Sequence, residues 1–379
     1  VSHNLFRGAI RGPCPVPLLG NVNRFLLKVS RLHEVTAEDF REFGSFFSWF
    51  YFHKPMVGMN CPFHLRRILV SKWRRYERSE VDEAAFGELL GAGLIMVRNE
   101  SWGDMRRLYQ PAFGDRNLLA FAARLRPWAE SFAHGLLVAG EGGGVPVDIQ
   151  EAAQRLTFRA VGLFTLGIDF EDEVWLTMLR KEMGGTAWPC ANFGELWAKL
   201  LVHIQCRIFF GPLQWWRVLK TPEVRAFERG HRLLLQVIDN AIEARESSGT
   251  IEKAPHIFQD LLSLMLGGKG RRFSRAELQH QALTFLFAGH DTTTTLIALC
   301  THLLAGNAAF QERAKAEAAE PDGPKPFLRA CLLETLRLYP SVPLRSRTLA
   351  ADEEFTAAEP NRCPMLRDPK SVKLPKGTG

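Results

Sequence analysis

The sequence predicts a single, mainly α-helical domain with a small β region near its N-terminus. Two observations lead to this prediction. After about residue 60, most segments carry apolar residues at helical spacing, with turn residues between them. No linker rich in Ser, Gly and Pro divides the 379 residues, of which 46% are hydrophobic, so the chain can bury one large core.

The β region is predicted where aromatic residues cluster. The segment SFFSWFYFHKPMVGMN (residues 45–60) is rich in aromatic residues and is interrupted by Lys54-Pro55, as in a hairpin. Before it, the prolines of GPCPVPLLGN (residues 12–21) exclude a helix and indicate a rigid extended segment. After it, CPFHLRRIL (residues 61–69) starts a helix with a proline near its first turn.

The longest predicted helix contains an unusual polar segment. Ser274 and Glu277 form an S-x-x-E capping box before an apolar run that ends near Gly306. Within this run, FLFAGHDTTTTLIAL (residues 285–299) carries an acid and four threonines. Unpaired polar groups in a buried helix cost roughly 1–3 kcal/mol each, so these residues require an explanation.

Two interpretations of this segment are open. In the first, the threonine hydroxyls bond back to carbonyls one turn earlier and the acid is paired, so the segment is only structural. In the second, the segment is a polar notch, where Ala288 and Gly289 let a flat ligand approach the backbone. Asp291 and Thr292 then bring a proton source to the same place. This segment alone favours the first interpretation.

Three other predicted helices carry charged residues at helical spacing. Trp102 and Arg106 lie four residues apart, as in a surface aromatic–cation pair. Glu334 and Arg337 share one helix face, and their apolar flanks predict a buried pair, so that loss of one partner would cost several kcal/mol. The helix in residues 195–210 carries Lys199, His203 and Arg207 four residues apart, a narrow basic stripe that is typical of a surface helix and less often of one resting on a membrane.

Charge and cysteine content restrict the classes of function. The formal charge is +7, but the 48 basic residues are dispersed among 41 acidic ones, so a nucleic-acid partner is not expected. The seven cysteines show neither C-x-x-C spacing nor a disulfide framework, which favours a reducing compartment, and no metal ligand is assigned. No run of ~20 uncharged apolar residues predicts a membrane-spanning helix. Because the chain begins with Val1 instead of Met, we expect that an N-terminal signal or anchor is missing.

The order of these motifs resembles that of the cytochrome P450 family. WGDMRRLYQPAF, FLFAGHDTT and FLRACLLETLRLYPSVP are similar to its third main helix, its long central helix and its conserved core helix. GPCPVPLLGN is similar to the hinge after a membrane anchor, and LPKGTG (residues 374–379) to the strand and turn after the core helix. The resemblance implies a triangular helical prism with small β regions near the N-terminus and at the C-terminal end, as one domain over residues 1–379.

The resemblance implies a haem (heme b) against the central helix. Ala288 and Gly289 would form the small pair that admits oxygen and substrate to the iron. Thr292 would hold a water molecule, and Asp291 would help to relay protons during oxygen activation, so these two residues would be catalytic.

The resemblance also implies how the haem is held. Trp102 and Arg106 would contact one propionate, and Arg347 would bind propionate from the other side through charge-assisted hydrogen bonds. Glu334 and Arg337 would be a structural pair in the core helix and take no part in catalysis.

The iron ligand of the family is a cysteine thiolate in an F-x-x-G-x-R-x-C-x-G loop, downstream of the strand that LPKGTG resembles. Cys363, in NRCPM, lacks the neighbouring residues of that loop. We therefore expect that the chain is incomplete at its C-terminus and also at its N-terminus, and that it lacks the thiolate ligand.

For the complete protein, the resemblance implies a monooxygenase that inserts one oxygen atom from O2 into an apolar organic substrate, with electrons from a reductase. The alternative is a degenerate, non-catalytic relative that binds a hydrophobic ligand or a partner. A generic helical binding module would leave the ordered motifs unexplained. The proline-rich segment favours the cytosolic face of the endoplasmic reticulum membrane, with the membrane surface as a partner, and plastid or mitochondrion are the other compartments considered.

Overall fold

The computed structural model describes most of the chain. The described residues are 10–26, 31–97, 99–141, 146–210, 214–248, 258–267, 273–320, 323–356 and 371–379. The chain divides into two compact units. The first unit comprises Val1–Ala85, Arg207–Gly211 and Leu344–Gly379, and the second comprises Phe86–Cys206 and Pro212–Pro343. The organisation as one domain stays a prediction.

Helices dominate the described residues. The α-helices are α1 (Val22–Leu26), α2 (Leu32–Phe43), α3 (Pro62–Arg66), α4 (Glu80–Leu90), α5 (Asn99–Tyr109), α6 (Asp115–Glu141), α7 (Ile149–Leu166), α8 (Glu173–Met183), α9 (Phe193–Phe210), α10 (Trp215–Val218), α11 (Pro222–Ser248), α12 (Leu261–Gly267), α13 (Arg275–Ala305), α14 (Ala308–Ala319) and α15 (Pro326–Leu338). The strands are β1 (Phe46–Tyr51), β2 (Lys54–Met59), β3 (Tyr76–Glu77), β4 (Thr348–Leu349), β5 (Glu353–Thr356) and β6 (Ser371–Leu374). The predicted mainly α fold is confirmed, with small β regions near both ends.

The first unit is organised around the predicted hairpin. Strands β1 and β2 pair antiparallel, with Phe46 opposite Met59 and Tyr51 opposite Lys54. Segments distant in sequence join this hairpin, because the Ser48 N–H donates to the Arg11 carbonyl and the Val57 N–H to the Gly379 carbonyl, both at 2.8 Å. The core of this unit is apolar and draws on all three strand pairs: Phe46, Phe50, Tyr76, Leu349, Phe355, Val372 and Leu374.

A buried carboxylate connects strand β5 to three basic residues of the first unit. The Glu353 side chain is only 1% exposed, and it accepts hydrogen bonds from Arg67 Nε at 3.0 Å, Lys72 Nζ at 2.9 Å and Arg75 Nη1 at 2.9 Å. Burial alone would raise the pKa of Glu353, but the hydrogen bonds from Lys72, Arg75 and Arg67 outweigh it and lower the pKa to about 2. The carboxylate therefore stays ionised, and it holds these segments together.

The second unit is built around α13, whose start is fixed by the predicted capping box. The Ser274 hydroxyl accepts from the Glu277 N–H at 3.3 Å, and Glu277 Oε2 accepts from the Ser274 N–H at 2.8 Å. Helix α7 packs along α13, and the contact is close at Gly289, where a Cβ atom would lie 2.7 Å from Val161 Cγ2. Gly289 therefore permits the two helices to approach each other.

A short turn after α4 is held against the first part of α13. The Gln281 side chain is fully buried, and both ends of its amide bond to this turn. Its Oε1 atom accepts from the Leu94 N–H at 2.9 Å, and its Nε2 atom donates to the Ala92 carbonyl at 3.3 Å. Gly93 packs so closely that a Cβ atom there would lie 1.8 Å from Thr284 Oγ1 and 2.5 Å from the His280 carbonyl oxygen. The turn is thus held by hydrogen bonds to the Gln281 amide and by close packing that glycine at position 93 permits.

No single helix among the described residues is both long enough and apolar enough to cross a membrane. The consecutive helices α13 and α14 satisfy length and composition only when they are taken together, and they are bent by 117°.

Candidate functional site

One face of α13 is open to solvent near the middle of the helix. Ala288 and Asp291 are solvent-exposed and Thr292 is half-buried, whereas Leu286 and His290 are buried. Ala288, Asp291 and Thr292 are spaced at i, i+3 and i+4, so they share one face of the helix, and the neighbouring Thr293 is exposed as well. The structure therefore brings together three of the residues that the sequence assigns to the site.

The threonines of this segment bond back to the helix. Each of three hydroxyls donates to the carbonyl four residues earlier, at distances of 2.8–3.0 Å; they belong to Thr292, Thr294 and Thr295. The first interpretation is correct for the hydrogen bonds of these three threonines, because their hydroxyl donors are satisfied within the helix.

The first interpretation also requires that Asp291 is paired, and this part is wrong for the described residues. Asp291 forms no ion pair and no hydrogen bond through its side chain with the described residues, although its carboxylate is accessible to solvent. The surrounding protein partly desolvates this carboxylate, and this burial raises the pKa of Asp291. A carboxyl group with a raised pKa holds a proton closer to neutral pH, as a proton relay requires.

A polar cluster that the sequence did not predict lies on the opposite side of α13. The Thr157 hydroxyl of α7 lies 3.0 Å from His290 Nδ1 and 2.6 Å from Thr294 Oγ1. His290 is 1% exposed, and its Nε2 atom has no hydrogen-bond partner among the described residues. Burial lowers the pKa of His290 to about 4, so the imidazole is neutral at physiological pH. The cluster fixes α13 against α7 directly behind the open face.

Lowering the pH should reduce the free energy of unfolding, because His290 must be protonated in the process. The folded state favours the neutral imidazole, since its pKa is about 4 in the fold against an ordinary value of 6.5. Stability from this residue is complete above pH 6.5 and is lost as the pH falls to about 4, at a total cost of about 3 kcal/mol. We expect His290→Asn to flatten the pH dependence of the free energy of unfolding in this window, measured by urea titration. His302→Asn, at an exposed position of the same helix, is the control. Equal slopes for His290→Asn and the wild type would contradict the prediction.

Ser341 supports the open face from a segment that follows α15. Its hydroxyl donates to the Thr292 carbonyl at 3.0 Å. The contact fixes the backbone at the threonine that the sequence assigns to catalysis. The only sequence signal for it is the position of Ser341 between Pro340 and Pro343, where the chain cannot continue the helix.

Trp102 and Arg106 form the predicted pair on α5. The Arg106 guanidinium lies over the Trp102 ring, 5.6 Å from its centroid, and both side chains are exposed. Arg106 forms no ion pair with the described residues. Its donors are therefore free to bind a carboxylate.

Arg347 belongs to the first unit and is half-buried. Its Nη1 atom donates to the Ser346 carbonyl at 2.9 Å. Burial and the neighbouring charge of Arg345 lower the pKa of Arg347, although Asp82 offsets part of the effect. This guanidinium therefore lies in a positively charged environment.

Glu334 and Arg337 form the predicted pair, but the prediction that it is buried is wrong. Two hydrogen bonds of 2.7 Å join the side chains, which are 55% and 67% exposed. The apolar neighbours on which the prediction relied, among them Leu333 and Leu336, are exposed as well. Apolar flanks indicate burial only where another element covers the helix, and no described element covers this face of α15.

Glu334→Ala should therefore change stability very little, because an exposed ion pair contributes little. We expect its unfolding midpoint to agree with that of Glu312→Ala, which removes a similar exposed pair with Lys315 on α14. Thermal unfolding followed by circular dichroism would measure both. A much larger loss for Glu334→Ala would restore the interpretation of a buried structural pair.

The sequence profile described as cytochrome P450 matches residues 10–357. The chain belongs to the cytochrome P450 family. Cytochrome P450 monooxygenase 128 of Postia placenta is 24% identical, over 98% of this chain and 72% of the relative. Cyclooctat-9-en-7-ol 5-monooxygenase of Streptomyces melanosporofaciens is 27% identical, over 77% of this chain and 60% of the relative. Cytochrome P450 734A6 of Oryza sativa subsp. japonica is 25% identical, over 88% of this chain and 61% of the relative.

The chain thus spans between 60% and 72% of the length of these relatives. Cytochromes P450 use haem, and two features of the described residues bear on this cofactor. Arg106 has donors free for a carboxylate, and α13 exposes Ala288 and Asp291 near its middle. These features fit a flat, dianionic porphyrin. Cys363 lies outside the described residues, and the absence of a thiolate ligand stays a prediction.

Proposed function

We propose that the whole protein to which this chain belongs is a haem-dependent monooxygenase, which inserts one oxygen atom from O2 into an apolar organic substrate. The observation that supports this most directly is the open face of α13. An unpaired carboxyl group and a partly accessible threonine lie there side by side. A carboxyl group whose pKa is raised, next to a threonine hydroxyl, suits proton delivery.

Haem, when bound, supplies the iron at which O2 is activated with electrons from a reductase. The residues of this chain would hold the cofactor and move protons. Trp102 and Arg106 would bind one propionate, and Arg347 would bind propionate through its guanidinium. Ala288, and Gly289 beside it, would keep this part of α13 free of bulky side chains, a role that Gly289 combines with its packing against Val161.

Thr292 and Asp291 would deliver protons in two steps. The Thr292 hydroxyl donates to the Ala288 carbonyl, so its oxygen lone pairs remain available to accept a hydrogen bond from a water molecule. Asp291, whose pKa is raised by burial, would supply the proton that this water passes on. Solvent would then reprotonate Asp291, because its carboxyl group is accessible.

Aromatic residues next to this face favour an apolar substrate. Phe287 lies one helical turn before Asp291, and its ring is 5.3 Å from that of Phe86 on α4. Such a pair offers apolar contact area and no hydrogen-bonding group, so it would favour hydrocarbon over polar ligands. We place the protein at the cytosolic face of the endoplasmic reticulum membrane, with plastid and mitochondrion as alternatives. The accessible Asp291 and Thr292 do not favour the non-catalytic alternative.

Thr292→Ala in the whole protein should divert electrons from product to hydrogen peroxide, because the water that the hydroxyl holds is lost. We expect the product formed per reductant consumed to fall severalfold, while substrate affinity stays unchanged. The measurement compares oxidised nicotinamide cofactor, product and peroxide in the same reaction. Thr293→Ala is the matched control, since Thr293 is exposed and its hydroxyl has no hydrogen bond to the described residues. Equal coupling in both variants would remove Thr292 from the mechanism.

A further inference from the structure

Two cysteines lie on helices that pack against each other in the second unit. Cys300, on α13, is 7% exposed, and Cys331, on α15, is partly buried. Helix α15 packs against both α13 and α14. Neither thiol has a part in the proposed reaction, so chemistry that joins them would be separate from it.

Cys331 lies on the packed side of α15. The residues of this helix that are not exposed are Phe327, Leu328, Cys331 and Thr335, which form one stripe with a spacing of three to four residues. Thr335 is 2% exposed, and its hydroxyl donates to the Cys331 carbonyl at 2.8 Å. The Cys331 side chain therefore lies on the side of α15 that the neighbouring helices cover.

The register between α13 and α15 places the two cysteines at a similar level. The Ser341 hydroxyl, just after α15, donates to the Thr292 carbonyl of α13. Cys331 precedes Ser341 by ten residues, and Cys300 follows Thr292 by eight. In helices that run antiparallel, both steps lead in the same direction and cover roughly 12–15 Å at a rise of 1.5 Å per residue.

Electrostatics independently indicates that the two sulfur atoms are close. Burial raises the pKa of Cys331, and the neighbouring Cys300 raises it further, followed by Glu317 of α14, whereas Arg313 of α14 lowers it. One thiol affects the pKa of another only over a short distance. Because its pKa is raised, the Cys331 thiol is protonated at neutral pH and stays reduced until it meets an oxidant.

We propose that Cys300 and Cys331 form a disulfide bond when the protein meets hydrogen peroxide, and that this bond joins α13 to α15. Peroxide first oxidises the more accessible thiol, that of Cys331, to a sulfenic acid and releases one water molecule. The Cys300 sulfur then attacks the Cys331 sulfur, and the S–O bond breaks. The hydroxyl group leaves with the proton of the Cys300 thiol as a second water molecule. Two thiols thus lose two electrons and two protons to one peroxide molecule, and a thiol reductant reverses the reaction.

The bond would act on the helix that carries the candidate site. Ser341, which holds the Thr292 carbonyl, follows α15 directly, so a covalent link between the helices would restrict movement at this contact. Disulfides in reducing compartments are usually transient and respond to oxidants. A bond that forms only with peroxide is consistent with the reducing compartment that the cysteine pattern favours.

The test treats the 379-residue chain, without haem, with a small excess of hydrogen peroxide. Remaining thiols are then blocked, and disulfides are identified by peptide mass mapping. We expect a cross-linked pair of the peptides that carry Cys300 and Cys331, which disappears after treatment with dithiothreitol. Since the thiolate is the reactive form and the pKa of Cys331 is raised, the rate should rise about tenfold per pH unit near neutral pH.

Two controls show whether the fold brings the thiols together. In urea, where the chain is unfolded, the same peptide pair should be only one among many cysteine pairs. Cys206→Ser removes an exposed cysteine of α9 and should leave the cross-link unchanged, whereas Cys331→Ser should abolish it. The mapping of the wild-type chain needs no substitution, so it decides the question even where a variant folds poorly.

Several results would overturn the proposal. They are the absence of any cross-link, oxidation of Cys331 to a sulfinic acid without bond formation, and a bond from either cysteine to another one. Cys363, which lies outside the described residues, is included among those other partners. Equal yields of the Cys300–Cys331 pair in the folded and the urea-unfolded chain, or a rate that does not change with pH, would also contradict it. None of these measurements depends on haem or on turnover, so they stand apart from the proposed function.

Discussion

Glu353→Gln should lower the free energy of unfolding by about 3 kcal/mol, because it removes the charge that neutralises three basic residues. The substitution preserves shape, so the loss reports electrostatics and hydrogen bonding. Arg67, Lys72 and Arg75 all donate to this carboxylate, and the amide would turn donors of its own toward them. These cations are partly exposed and can recover some hydration, which keeps the expected loss in the lower part of the range for buried ion pairs.

Urea denaturation of the variant and of Glu354→Gln would measure the effect. Glu354 follows on the same strand and its side chain is exposed, so its substitution should change stability very little. The pH dependence gives an independent check. Since the folded pKa is lowered to about 2 from 4.5, the stabilisation is complete above pH 4.5 and is lost as the pH falls toward 2. Equal stability of the two variants at pH 7 would refute the role of Glu353.

Gly93→Ala should destabilise the second unit by about 2–3 kcal/mol, at the upper end of what overpacking costs. The added Cβ atom would lie 2.5 Å from the His280 carbonyl oxygen and 1.8 Å from Thr284 Oγ1. A threonine side chain can rotate away, but the backbone of α13 cannot move without disturbing its packing. The turn must therefore shift, and the hydrogen bonds that Gln281 forms with Ala92 and Leu94 would be strained.

The matched control is Gly87→Ala on α4, where a Cβ atom would meet no atom within 4 Å. Alanine stabilises a helix relative to glycine by about 0.5–1 kcal/mol, so this substitution should have the opposite sign. Hydrogen exchange at the Leu94 amide, which donates to Gln281, would locate the change. If Gly93→Ala and Gly87→Ala had the same effect on stability, close packing of the turn would be excluded.

The predictions from sequence succeeded where the signal is local. The capping box of Ser274 and Glu277 involves residues three apart, and the hairpin of residues 45–60 depends on short-range alternation and a turn. In both cases, the groups that decide the structure are neighbours in the chain, so their order in the sequence determines the outcome. The order of the P450 motifs likewise gave the family.

The predictions failed where the outcome depends on what packs against a residue. Glu334 and Arg337 have apolar neighbours, yet their helix face is open. The basic stripe of α9 is typical of a surface helix, yet His203 and Arg207 are buried. Likewise, the contacts of His290 with Thr157 and of Ser341 with Thr292 join residues 133 and 49 positions apart, which no local pattern reveals.

The hairpin of β1 and β2 bonds to segments that are far apart in the sequence, and this affects the order in which the two units can fold. Its hydrogen bonds extend to Arg11 on one strand and to Gly379 on the other, and β3 finds its partner only at Thr348 and Leu349. Closing such long loops costs entropy before any contact compensates for it, so high contact order makes folding slow. During synthesis, the second unit can begin to fold while β3 still lacks its partner strand. Unpaired strand edges bind other chains, and this interval is therefore when a chaperone would protect the protein most effectively.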